Sequence, residues 1–317
     1  MFEAIGLFLL GLVLLALGGD SVVKGASGLA QRAGLSPFTT GLLLVAFATS
    51  LPELAVNLHA VASGQQSLAL GNAVGSNIAN VGLTLGLAAL AAPLVVEWRA
   101  LNPLWLVLVV ATVVLAVLGL DGGISRIEGL GLVVAFVAVV AFAMRRAGEE
   151  SPEVRAEIED YARTSQELGQ NLLRFVAAAA LLYFGSRFVV RSAQPLGEAL
   201  GLTPLLMGLL PVAIGTALPE AAAAIAAARR GQGDVVAGHV IGSSLFNVLV
   251  VVGVVAMINP LPMPGSFVRL ELPAALAFAL MLYPVLRGDL RVSRREGAVL
   301  LVAFAAWVVY ELLLINR

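Results

Sequence analysis

The chain is 317 residues long, 60% hydrophobic and only 12% charged, with a mean hydropathy of +0.97. Soluble domains are about half apolar and a quarter charged, so a water-soluble fold is excluded. The net charge of −1 hides an uneven distribution and by itself says nothing about nucleic acid; no basic patch with interleaved aromatics is present and no nucleic-acid partner is expected, and zero cysteines exclude disulfides, Cys-ligated zinc and thiol catalysis.

A bilayer core takes about 20 apolar residues of helix. That ruler predicts ten membrane helices, near 4–32, 38–62, 67–91, 101–120, 124–146, 170–199, 205–229, 235–258, 268–287 and 293–315. The first lacks the basic start and small-residue cleavage site of a signal peptide, so it reads as a membrane helix. The first and sixth are long and carry Asp20, Lys24, Arg187 and Arg191, which predicts tilt or snorkelling. Residues 147–169 form a charged connector, read as a solvated linker with a short helix, between a first unit at 1–146 and a second at 170–317.

Cytoplasmic loops collect Lys and Arg. Alternate loops place thirteen arginines on one side (32, 99, 145, 146, 155, 163, 174, 229, 230, 287, 291, 294, 295) and three on the other (126, 269, 317). The connector is therefore expected in the cytoplasm and both termini outside, in the cell (inner, plasma) membrane.

Sliding the sequence by 167 residues aligns its halves without a gap. Thr49-x-Leu51-Pro52-Glu53 falls on Thr216-x-Leu218-Pro219-Glu220, and Gly71-x-x-x-Gly75-Ser76-x-x-x-Asn80 falls on Gly238-x-x-x-Gly242-Ser243-x-x-x-Asn247. One residue further on, Ser125-Arg126-x-Glu128-Gly129 matches Ser293-Arg294-x-Glu296-Gly297. Five helices per unit is an odd number, so the second copy enters the membrane upside down. The expected fold is an all-α polytopic membrane protein of two inverted five-helix repeats, an architecture whose substrate site lies near the midplane between the copies.

A carboxylate inside a membrane helix is costly and reads by default as functional. Glu53 and Glu220 each follow a threonine, Thr49 or Thr216, by four residues, on one helix face. Pro52 and Pro219 push away the carbonyls of Ala48 and Gly215. Ser76 with Asn80, and Ser243 with Asn247, repeat the four-residue spacing, and the glycines beside them allow close helix approach. Hydroxyls, carboxylates and loose carbonyls make an all-oxygen nest for hard cations. The two carboxylates would neutralise one Ca²⁺, or share their charge among Na⁺ ions.

These segments, GLLLVAFATSLPEL with GNAVGSNIANVGLTLG and GLLPVAIGTALPEA with GHVIGSSLFNVLVVVG, resemble the α-repeats of the Na⁺/Ca²⁺ exchangers of the calcium/cation antiporter superfamily, prokaryotic type. The resemblance implies ten helices, alternating access by sliding of the first and sixth, and Na⁺ and Ca²⁺ as transported ions, with no cofactor and no catalytic chemistry. It implies ligation by Thr49, Ser50, Glu53, Ser76, Asn80, Thr216, Glu220, Ser243 and Asn247, joined by the carbonyls of Ala46 and Ala213. No protein partner beyond the lipid bilayer is implied.

Four positions depart from the pattern. Ala217 stands where the first unit has Ser50, Asn247 is neutral where many prokaryotic relatives carry Asp, and His239 and Ser244 replace the residues matched by Asn72 and Asn77. The expected function is Na⁺-driven Ca²⁺ antiport. A Ca²⁺/H⁺ antiporter of the same fold is the alternative, with the glutamates or His239 carrying protons; K⁺-dependent and other divalent transport stay open. His239 and His59 otherwise read as hydrogen-bonded packing residues.

Overall fold

Lipid offers no partner for backbone N–H and C=O groups, so each spanning segment must satisfy its own by forming helix. The computed structural model describes residues 1–34, 48–146, 152–287 and 291–314, and they are almost entirely helical. In chain order the helices are α1 (Phe2–Arg32), α2 (Leu51–Ala62), α3 (Gln66–Ala91), α4 (Trp98–Leu118) and α5 (Arg126–Arg146). After the connector helix α6 (Pro152–Ala162) come α7 (Leu168–Leu200), α8 (Pro204–Arg229), α9 (Gly233–Ile258), α10 (Gly265–Arg287) and α11 (Arg294–Leu314). Among the described residues nine helices are long and apolar enough to cross a membrane. Their bounds fall within a few residues of the predicted ones. The start of the predicted helix 38–62 lies outside the described residues up to 47; its described part is a 3₁₀ turn, Ala48–Ser50, running into α2.

Burial sorts the helices into layers. The most apolar windows of α3 and α9 are each 83% buried, against 11% for α5. The two small-residue helices are thus the centre of the molecule. On α3, a Cβ at Gly71 would run into the Leu205 carbonyl of α8 and one at Gly75 into that of Leu209, so the predicted close approach is real. The two long helices also meet glycine to glycine. A Cβ at Gly11 of α1 would come 2.9 Å from the Gly185 oxygen of α7, and one at Gly185 equally close to the Gly11 oxygen.

The halves interlock at two further places. Strand β1 (Leu94–Val95) pairs antiparallel with β4 (Arg291–Val292), and β2 (Gly123–Ile124) with β3 (Leu261–Pro262). Each strand of one half therefore pairs with the other half, not with its own. Identical capping boxes open α5 and α11: the Ser125 and Ser293 amides donate to Glu128 and Glu296 Oε2, both at 2.7 Å, and Ser125 and Ser293 Oγ accept the glutamate amides, both at 3.3 Å.

The connector is more than a solvated linker. Ile158 and Ala162 of α6 are buried, and the Ala162 carbonyl accepts from the Ser27 hydroxyl and from Gln31 Nε2, the latter at 2.7 Å. Gln232 Nε2, just before α9, donates to Asp160 Oδ2 at 3.0 Å. Burial and the neighbouring Asp234 push the Glu157 carboxyl up to about 7. The physical reason is an apolar stripe, which a count of charges along the connector hides.

Candidate cation site

Three helices break their regular ladder. A π-turn runs from Asn80 to Leu85 in α3, another from Asn247 to Val251 in α9, and a third from Gly208 to Val212 in α8. π-turns shift the hydrogen-bond register by one residue and recur at functional sites. Two of them begin at the paired asparagines Asn80 and Asn247. The third contains Pro211, whose missing N–H loosens the turn before Ala213. Pro219 lies inside α8 as expected. Pro52 differs: it is the second residue of α2, where a missing N–H has no ladder partner to lose.

Around these breaks the structure gathers most of the predicted residues. Ser50, Glu53, Ser76, Asn80, Ala213, Thr216, Glu220, Ser243 and Asn247 are all buried, and Thr49 is half-buried. Ala46 lies outside the described residues. Ser243 Oγ is a hub: it meets Ser50 Oγ at 2.5 Å, accepts from Asn80 Nδ2 at 2.9 Å and reaches Glu220 Oε1 at 3.5 Å. Thr216 Oγ1 donates to the Ala213 carbonyl at 3.2 Å. The opposite serine is less connected, with Ser76 Oγ 3.5 Å from Asn72 Oδ1.

His239, read from sequence as a packing residue, stands in the site itself. Its Nδ1 is 3.1 Å from Thr49 Oγ1 and its Nε2 is 3.8 Å from Glu220 Oε2. The four-residue spacing His239, Ser243, Asn247 carried that signal, since it puts all three on one stripe of α9. Asn57 was missed outright. It accepts from Asn72 Nδ2 at 2.9 Å, and it has no polar counterpart in the second half, where Ala224 stands. The other predicted packing histidine, His59, lies edge-on to Tyr183 with ring centroids 6.3 Å apart.

Charge is poorly compensated here. Glu53 is 1% exposed, and neither of its carboxylate oxygens has a hydrogen-bond partner among the described residues. The same holds for Asn80 Oδ1 and for both amide atoms of Asn247. Buried polar groups are ordinarily paired, so these atoms mark where a cation would find ligands. Among the described residues no three His, Asp, Glu or Cys side chains converge. Two acids among neutral oxygens suit a hard cation rather than a transition metal. A cavity of about 170 Å³ bounded by Asp20, Thr49, Thr216 and Glu220 leads to this cluster beneath α1.

Comparison with known proteins agrees with this geometry. The family model for sodium/calcium exchanger proteins matches residues 3–145 and 171–313. The chain is 34% identical to the putative antiporter CaxA of Alkalimonas amylolytica, over 94% of this chain and 95% of the relative. It is 30% identical to the sodium/calcium exchanger MaX1 of Methanosarcina acetivorans, over 96% and 97%. Among solved structures it resembles the sodium-calcium exchanger NCX_Mj, with a TM-score of 0.68 and 28% identity over 96% of this chain and 98% of that one.

Proposed function

The chain belongs to the sodium/calcium exchanger family, and from that premise we propose that it is a secondary antiporter exchanging Na⁺ for Ca²⁺ by alternating access. The observation that carries this reading is the buried pair Glu53 and Glu220, with Ser243 Oγ 3.5 Å from Glu220 Oε1 and π-turns opening at the buried Asn80 and Asn247. Their charge matches one Ca²⁺, while Na⁺ ions would divide the same carboxylates. Such a site suits either load but not both together, which is the requirement for exchange.

The ligands in this proposal are the side chains of Thr49, Ser50, Glu53, Ser76, Asn80, Thr216, Glu220, Ser243 and Asn247, with the carbonyls of Ala46 and Ala213. The architecture proposed is ten membrane helices in two inverted units, 1–146 and 170–317, joined by a cytoplasmic connector, with both termini outside. The cross-pairing of β1 with β4 and β2 with β3 supports it, because a two-fold axis between inverted copies brings unlike strands together. The arginine asymmetry supports the orientation.

A second reading, Ca²⁺/H⁺ exchange, is favoured by one observation: His239 Nε2 lies 3.8 Å from a Glu220 oxygen. Purified protein in liposomes separates the two. Radioactive Ca²⁺ uptake driven by an imposed Na⁺ gradient, and unchanged when a protonophore collapses any pH gradient, is the expected result. Uptake driven by a pH gradient alone would transfer the assignment to proton coupling.

A further inference from the structure

One charged pair near the middle of α1 has no role in the ion cluster itself. Lys24 Nζ lies 2.7 Å from Asp20 Oδ2, one helical turn away, and both side chains are more than half exposed. As a plain intrahelical pair it would only neutralise two costly charges. Its surroundings say more. Exposed Asp20 and buried Glu220 line one cavity together with Thr49 and Thr216, and Ala16, Val23, Pro52 and Pro219 form its apolar wall. A carboxylate at the mouth of a narrow, low-dielectric cleft concentrates cations there.

The equivalent turn of α7 is built differently. Adding the repeat offset of 167 takes Asp20 to Arg187 and Lys24 to Arg191, so the sign is inverted at the first position and kept at the second. Nothing in the duplicated scaffold demands an acid at position 20. The structure has one long helix presenting a carboxylate to the ion path and a partner presenting a guanidinium at the matching position.

We propose that Asp20 is a recruiting carboxylate for this mouth of the site, held by Lys24 until an arriving cation displaces the ammonium, so that the two membrane faces differ in apparent cation affinity. The proposal rests on the exchanger reading above. An ion passing toward Glu220 trades its partners in order: water, then Asp20 with the threonine hydroxyls, then the buried carboxylate.

The test uses the full chain in oriented vesicles, with initial exchange rates titrated in Ca²⁺ and in Na⁺ from each face at low and high ionic strength. Asp20→Asn is expected to raise the KM on one face only, about threefold for Na⁺ and about tenfold for Ca²⁺, because a divalent ion feels twice the Coulomb energy and the factor is squared. Lys24→Gln is expected to lower the KM on that same face, and Asp20→Glu to retain the parent's values. Both shifts should shrink in high salt. Equal changes on both faces, equal factors for Na⁺ and Ca²⁺, or no change in either variant would overturn the proposal while leaving the exchanger reading intact. Absence of Na⁺-driven Ca²⁺ flux in the parent would instead bring down that reading, and the inference with it.

Discussion

The two halves of the ion cluster share a scaffold and differ in wiring. In the second half Ser243 gathers Ser50, Asn80 and Glu220 around one hydroxyl, and His239 reaches across to Thr49. In the first half Ser76 meets only Asn72, and Glu53 has no hydrogen-bond partner among the described residues. Two substitutions account for much of this. Ala217 has no hydroxyl with which to repeat for Ser76 what Ser50 does for Ser243. Ala224 stands where Asn57 holds Asn72, and the second-half residue, His239, meets Thr49 of the other half. Glu53 with Glu220, Thr49 with Thr216, Ser76 with Ser243 and Asn80 with Asn247 are kept in both copies, whereas Ser50 with Ala217, Asn57 with Ala224 and Asn72 with His239 differ.

The severest way to break the comparison is to remove either acid. Glu53→Gln and Glu220→Gln are each expected to abolish Ca²⁺ transport, a loss of roughly a hundredfold or more, since one uncompensated charge in this environment costs several kcal/mol. Flux assays in liposomes check it, and near-normal Ca²⁺ flux in either variant would remove these residues from the site.

Next in size is His239→Asn, which restores the residue found at Asn72. Its ring stands 3.1 Å from Thr49 Oγ1 and 3.8 Å from Glu220 Oε2, so it takes up room and hydrogen-bonding capacity beside two proposed ligands. The variant is expected to change apparent Ca²⁺ affinity by about three- to tenfold, the scale of one hydrogen bond to a charged group. A Ca²⁺ titration identical to the parent's would mean His239 does not share the ion's space.

Asn247→Asp probes the atoms of the second π-turn. Both amide atoms of Asn247 are buried and unpaired among the described residues. A third carboxylate beside two others resists ionisation, so transport should persist but become more sensitive to pH, with apparent affinity changing about tenfold across the neutral range. A flat profile would take Asn247 out of the lining.

Ala217→Ser tests the missing hydroxyl directly. If the first-half cluster is open because Ser76 has no counterpart of the Ser50 hydroxyl, the new Oγ should supply one. Apparent Na⁺ affinity on the external face should rise about two- to fivefold, the scale of one neutral hydrogen-bonding oxygen, with Ca²⁺ affinity nearly unchanged. Na⁺ titration in oriented vesicles decides it, and an unaltered Na⁺ curve would favour proton coupling.

The smallest effect is expected where the halves are joined. Glu157 is pushed up to about 7 in the folded protein, from an ordinary value of 4.5. The folded state favours its protonated form, so its contribution to docking of α6 is fully present below about 4.5 and is lost as pH rises through about 7. Hydrogen exchange of the α6 amides, corrected for intrinsic rate, should therefore speed up severalfold between pH 6 and 8. Glu157→Gln should flatten that change.

Much of this protein was legible in one dimension. Hydropathy marked helix bounds to within a few residues because lipid leaves a spanning segment no choice but helix, and the 167-residue offset exposed the paired Thr, Pro, Glu, Ser and Asn because chance seldom repeats such residue types in apolar helices. Tertiary packing decided the rest. Whether Pro52 kinks a helix or begins one depends on where the chain turns, and the π-turns at Asn80 and Asn247 depend on how tightly neighbouring backbones press. The docking of α6 depends on which helix ends lie beneath it. His239 shows the limit most plainly. Its residue type was in view from the start, but its place between Thr49 and Glu220 is set by how the two halves pack, and no local pattern records a distance across the core.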